Sequence, residues 1–167
     1  MRTALRAAIA LLAVPLLAAE PTWTRAASAH FEVYTTAGDK AARRTLAYFE
    51  DVRSFLDDFL RLPETSRAPT AVVVFDDDAA YRPYRIAPAA AAYFQPARDR
   101  DYIVIGRVRD TEPVIIHEYT HLAFERLQVR YPVWLSEGLA DFFSTLQPFT
   151  DRVVLGRPPE RDRKSVV

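Results

Sequence analysis

His117-Glu118-Tyr119-Thr120-His121 places two imidazoles four residues apart with a carboxylate beside the first. On a helix, residues four apart sit about 40° apart around the axis and about 6 Å along it. His117 and His121 can then aim at one ion, with nitrogens about 2.0–2.1 Å from it. Glu118 is turned away from the centre of that pair, where it can reach a water without displacing it. That is the position of a general base. Sixteen residues beyond His121 lies Glu137, within Trp134-Leu135-Ser136-Glu137-Gly138-Leu139-Ala140-Asp141. Glu137 suits a third ligand. Asp141, again four residues on, suits an acceptor for the far N–H of a ligating imidazole. Two imidazoles, one carboxylate ligand and one spare carboxylate are the requirements of a hydrolytic zinc site. Two of the chain's three histidines fall in this one motif. Trp134, Leu135, Leu139, Ala140, Phe142 and Phe143 surround the two acids, and acids in so apolar a stretch are expensive unless paired or metal-bound.

Other clusters have plainer readings. His30 stands alone at a strand start and is expected to be structural. Asp76-Asp77-Asp78 lacks the ligand spacing of a calcium loop and reads as a turn with a helix N-cap. The chain has no cysteine, so neither disulfides nor thiolate ligands contribute. With 22 basic and 22 acidic residues, its charge favours no nucleic-acid partner.

Elements able to hold these residues follow from periodicity. Trp23 to Ala37 alternates from His30 onward and reads as one strand. From Gly38-Asp39 to about Leu62, Leu46, Phe49, Val52, Phe55, Leu56, Phe59 and Leu60 recur at helical spacing, giving a core-facing stripe that Pro63 ends. Thr70 to Phe75 reads as a buried strand, and Ala79 to Arg85 as a short helix. Tyr93-Phe94 and Tyr102–Ile105 read as a hairpin around Ala97-Arg98-Asp99-Arg100. A helix from about Glu112 to Gln128, with Thr111 as N-cap and Pro113 in its first turn, carries the paired histidines, with Leu122 and Phe124 in the core. A second follows Pro132, and Val153-Val154-Leu155 suggests a last strand.

The two site motifs resemble those of the gluzincin metallopeptidases, in particular the bacterial peptidase MA-like group. The resemblance runs from about Trp23 to Arg161 and takes in His30-Phe31-Glu32-Val33-Tyr34, Val72-Val73-Val74-Phe75 and Tyr93-Phe94-Gln95-Pro96. It implies an α+β fold in which a mixed, twisted sheet packs on helices, forming a zincin-like upper lobe over the helix that bears His117 and His121. It also implies a zinc metallopeptidase with Zn²⁺ on His117, His121 and Glu137, Glu118 as catalytic base, Asp141 behind an imidazole, and a peptide or protein substrate. The strand Tyr102–Gly106 is expected at the sheet edge, where a peptide can add by main-chain pairing. A non-catalytic extracytoplasmic module stabilised by zinc is the alternative. Gluzincins commonly place a tyrosine or histidine after the third ligand to stabilise the transition state, and none follows Tyr131 here.

Residues 1–19, with Arg2 and Arg6 before an apolar run to Ala19, read as a secretory signal peptide. The run is short for a membrane span. A periplasmic or secreted location without a stable span is therefore expected, with residues 20–161 as one domain. Asp162-Arg163-Lys164-Ser165-Val166-Val167 matches the translation of a common sequencing adapter. Residues 162–167 are thus expected to be non-native, with the native protein continuing past Arg161 and the 167-residue chain binding zinc weakly with little or no turnover.

Overall fold

A computed structural model describes residues 21–63, 68–108, 110–148 and 153–156. The proposed signal peptide and C-terminal tail lie outside the described residues. The elements run β1 (Thr24–Ala27), β2 (Phe31–Thr35), α1 (Asp39–Leu60), β3 (Thr70–Val74), α2 (Asp78–Tyr81), a 3₁₀ turn (Arg82–Tyr84), β4 (Ala92–Pro96), β5 (Asp101–Ile105), α3 (Thr111–Arg126), α4 (Val133–Ser144), β6 (Gln147–Pro148) and β7 (Val153–Val154). β1 to β5 form one mixed sheet in the order β1-β2-β3-β5-β4, and β6 pairs with β7. β2, β3 and β5 are parallel, while β1 and β4 run antiparallel to their neighbours. The fold is α+β. No described helix is long and apolar enough to cross a membrane.

The segment read as one strand is two. Ser28 Oγ accepts the backbone N–H groups of His30 (3.2 Å) and Phe31 (3.1 Å), and Ser28 N–H donates to the Phe31 carbonyl at 2.9 Å. That turn folds β1 back on β2, because a serine hydroxyl competes for backbone partners that a continuous strand would keep in the ladder. His30, at the turn, pairs through Nδ1 with Glu50 of α1 at 2.9 Å. Asp77 caps α2 by accepting from Ala80 N–H at 3.0 Å, as the acidic run implied. The helix then narrows into the 3₁₀ turn that contains Pro83.

α1 and α3 cover one face of the sheet. Phe49, Val52 and Leu56 of α1 meet Ile115, Ile116, Tyr119, Leu122 and Ala123 of α3 over Val33, Val72, Ile103 and Ile105. The opposite face carries a smaller cluster of Phe75, Tyr81 and Val104. The alternation of Val72 and Val73, or Ile103 and Val104, between the two clusters is the period-two signature of a sheet apolar on both sides. Phe59, expected in the stripe of α1, is instead largely exposed, stacking on Phe55 and edge-on to Phe143.

Two further details set the site helices. The N-cap position of α3 is Asp110, one residue before the expected Thr111 and without a side-chain cap hydrogen bond, and Pro113 falls in the first turn, where a missing N–H costs nothing. Its end comes at Arg126, and Gln128 turns the chain away in the left-handed region (φ 54°). Tyr119, fully buried, donates its hydroxyl to Asp57 of α1 at 2.6 Å. Arg53 approaches the same carboxylate at 3.4 Å. This contact fixes the rotation of α3 about its axis. With Tyr119 held inward, His117 and His121 point out of the core.

Candidate metal centre

The helical spacing does what a four-residue repeat must. His117 Nε2 and His121 Nε2 lie 3.2 Å apart, with rings inclined at 71°. α4 packs on α3 and brings Glu137 across, its Oε2 3.3 Å from His117 Nε2 and its Oε1 3.6 Å from His121 Nε2. One ligand atom from each of the three residues lies within 4.8 Å of the other two. The group could hold a metal ion.

The far side of each ring is also engaged. Asp141 Oδ1 is 3.1 Å from His117 Nδ1. A carboxylate at that position favours the tautomer with the proton on Nδ1 and the Nε2 lone pair at the centre. Ser136 Oγ lies 3.2 Å from His121 Nδ1 and can accept its proton in the same way. The centre is then three acceptors facing one another. A proton on one imidazole can bridge two of them; a single cation satisfies all three. The separations fit such an ion, since ligands about 2.05 Å from a tetrahedral zinc are about 3.3 Å apart. The nitrogen and oxygen donor set suits zinc as well.

Burial, with the charge on His117 adding to it, holds the His121 imidazole below the usual histidine range; the Glu137 and Asp141 carboxylates pull the other way. His121 is thereby biased to the neutral, ligating form.

Glu118 occupies a different environment. It is only 6% exposed, between α3 and β4. Burial, aided by the Glu137 charge, pushes its carboxyl up to about 7, against a hydrogen bond from the Phe94 backbone N–H. A carboxyl of that affinity can accept and return a proton near neutral pH.

The sheet order corrects one expectation. β5 lies between β3 and β4, so the strand Tyr102–Gly106 is not at the edge; β4 is. The reason is the hairpin: β5 continues the parallel series from β3, and β4 folds back outside it. Gly106 N–H donates to the Ala91 carbonyl at 2.8 Å, and Ala92 faces Ile105 across the ladder. The alternation of an antiparallel ladder therefore turns the main-chain groups of Ala92 and Phe94 to the open side. Phe94 spends its N–H on Glu118.

A second correction concerns α4. Its acids are not enclosed by apolar neighbours: the side chains of Glu137 and Asp141 are 53% and 75% exposed, and Val133 and Trp134 also face outward. The helix buries Ala140 and Phe143 instead.

All five candidate residues come together: His117, His121 and Glu137 at the centre, Asp141 behind one ring and Glu118 at the cleft wall. Ser136 and the Phe94 backbone are additions. Ser136 had a faint signal, a hydroxyl one residue before the proposed third ligand. The Phe94 amide had none, because it depends on which strand lies outermost. A larger cavity of about 820 Å³ at the ends of β2 and β3 does not include these side chains.

No family model matches this chain, and no curated protein matches it.

Proposed function

We propose that this chain is an exported zinc-dependent peptidase, its zinc held by His117, His121 and Glu137 in a zincin-like lobe. The observation that carries the reading is the convergence of three ligand atoms beside a buried, unligated carboxyl. When bound, the ion makes water acidic near neutral pH and polarises a carbonyl. Glu118 takes a proton from the attacking water onto its carboxylate as the water oxygen bonds to the scissile carbonyl carbon. It returns that proton to the leaving nitrogen as the C–N bond breaks, yielding a carboxylic acid and an amine. Asp141 and Ser136 hold the two imidazoles in the orientation and tautomer that present Nε2. Ala92 and the Phe94 carbonyl offer open main-chain groups to an extended peptide.

A zinc-stabilised binding module would need the three ligands but no acid at position 118. Burying Glu118 carries a cost, and general-base work is what repays it. The test is long incubation of the zinc-loaded chain with a peptide library, with products read by mass spectrometry. Slow cleavage that a chelator and Glu118→Gln both abolish is expected. Cleavage equal in Glu118→Gln, or undiminished by the chelator, would overturn the reading.

A further inference from the structure

Phe59 departs from the rest of the α1 stripe. Its ring is 57% exposed, yet it is held in place, stacked on Phe55 at 5.7 Å and edge-on to Phe143 at 5.9 Å. The stacked pair opens onto a groove lined by Asp51, Ser54, Phe55, Asp58 and Phe59, all from α1 and none from the metal centre. Asp51 and Asp58 are exposed, and neither has an ion-pair partner among the described residues. Arg53 turns to Glu50 and Asp57 instead, and Arg61 leaves the helix in the left-handed region (φ 54°). Seven residues apart on a helix, the two carboxylates stand on one side, about 10.5 Å apart along the axis. The aromatic pair lies beside that row.

We infer that this face of α1 docks an extended, proline-rich segment of a partner protein with two arginines three residues apart, of the form Arg-Pro-Pro-Arg. A polyproline II segment repeats every three residues with a rise of about 3.1 Å, so its i and i+3 side chains share an edge about 9.3 Å apart. That spacing nearly matches the aspartate row, and the long arginine side chains take up the difference. Proline rings on the neighbouring edge can lie on Phe55 and Phe59, the aromatic shelf that this mode of recognition uses. Ser54, between the carboxylates, can donate to a peptide carbonyl, and the main chain of such a segment has no internal hydrogen bonds. Two unpaired carboxylates disfavour an acidic segment. A partner helix fits less well. Ridge-into-groove packing needs apolar side chains over several turns, and Asp51, Ser54 and Asp58 occupy the other positions of this face. Docking here is separate from the proposed peptidase chemistry and does not depend on it.

The test titrates the full, isotope-labelled chain with the blocked peptide Pro-Arg-Pro-Pro-Arg-Pro and follows amide chemical shifts. Binding is expected, with shifts centred on Ser54, Asp58 and Phe59 and none at Glu137 or Asp141. Replacing both arginines by citrulline, which keeps the shape and removes the charge, should weaken binding about fivefold, the modest size of exposed ion pairs. Asp51→Asn with Asp58→Asn should do the same, and the two changes together should cost little more than either alone. A peptide with its arginines two residues apart, Pro-Arg-Pro-Arg-Pro-Pro, should bind several-fold more weakly, because one arginine then falls on another edge. Phe59→Ala should also weaken binding several-fold. Should loss of the Phe143 contact unfold that variant, the asparagine variants, both at exposed positions, decide the matter. No binding, shifts centred elsewhere, asparagine variants that bind as the parent does, or indifference to arginine spacing would overturn the proposal. So would a dimer in sedimentation that Phe59→Ala abolishes, which would assign the face to a second copy. Tighter binding by a helical peptide with arginines seven residues apart would assign it to a partner helix and overturn the extended form.

Discussion

Asp141 gives a graded test of the centre, because its contribution can be worked from one contact. Its Oδ1 lies 3.1 Å from His117 Nδ1. A charge-assisted hydrogen bond contributes about 1.5–3 kcal/mol when shielded. Here the Asp141 side chain is 75% exposed, which brings the expectation to about 1–1.4 kcal/mol. That is about five- to tenfold in metal affinity, the low end of what partners behind a ligand contribute. Asp141→Ala should therefore weaken zinc binding by about that factor. Asp141→Asn, which keeps an acceptor for Nδ1–H but loses the charge, should recover part of the loss. The assay is competition against a fluorescent chelator at fixed pH and ionic strength. Repeating it at higher salt should shrink the difference between the parent and the asparagine variant, since screening acts on the exposed charge that only the parent carries. The stability of the metal-free protein should change by no more than about 0.5 kcal/mol, as for other surface positions. Affinities within twofold of the parent for Asp141→Ala, or an asparagine variant weaker than the alanine one, would refute the orienting role.

Further expectations follow from the buried and paired acids. In chelator at pH 8, Glu118→Gln should be more stable than the parent by on the order of 2 kcal/mol. Its carboxyl is raised to about 7 by burial and then by Glu137, so ionisation costs stability that is progressively felt as pH rises from about 4.5 through 7. Denaturant titration at pH 4 and pH 8 would show it; an equal difference at both would contradict it. Glu32 has the opposite sign, for hydrogen bonds from Arg25, Tyr34 and Arg100 hold its carboxyl down at about 2. The stabilisation is fully present above about 4.5 and lost as pH falls through 2. Discounted for its partly exposed partners, Glu32→Gln should cost about 1 kcal/mol at pH 6 and nothing near pH 2; a constant penalty across acid pH would contradict it. Tyr119→Phe should destabilise the fold by about 1–2 kcal/mol through the lost Asp57 contact and loosen metal binding without removing it. An unchanged melting midpoint would show that α3 is set by packing alone.

Much of this centre was legible in sequence because its parts are local. Four-residue spacing on a helix fixes the relation of His117 to His121, and of Glu137 to Asp141, before any tertiary contact is known. The remaining step, bringing α4 onto α3, needed only a short connection after Arg126. What local pattern could not supply was order in the sheet. Val72, Ile103 and Phe94 all sit in short apolar runs, and nothing in those runs says which strand is outermost. The edge therefore moved from β5 to β4, and with it the main-chain groups that face the cleft. The break at Ser28 was hidden because alternation continues through it. On α4, an apolar composition suggested enclosure, yet Val133 and Trp134 lie outward; composition counts residues without saying which face they occupy.

Anomalous diffraction at the zinc absorption edge, from crystals of the full chain grown with one equivalent of zinc, tests the central claim most directly. One strong peak is expected within about 2.0–2.2 Å of His117 Nε2, His121 Nε2 and a Glu137 carboxylate oxygen, with the Glu118 carboxyl close by but not bonded. A peak at His30 and Glu50 instead, or no ordered zinc among the three side chains, would contradict it.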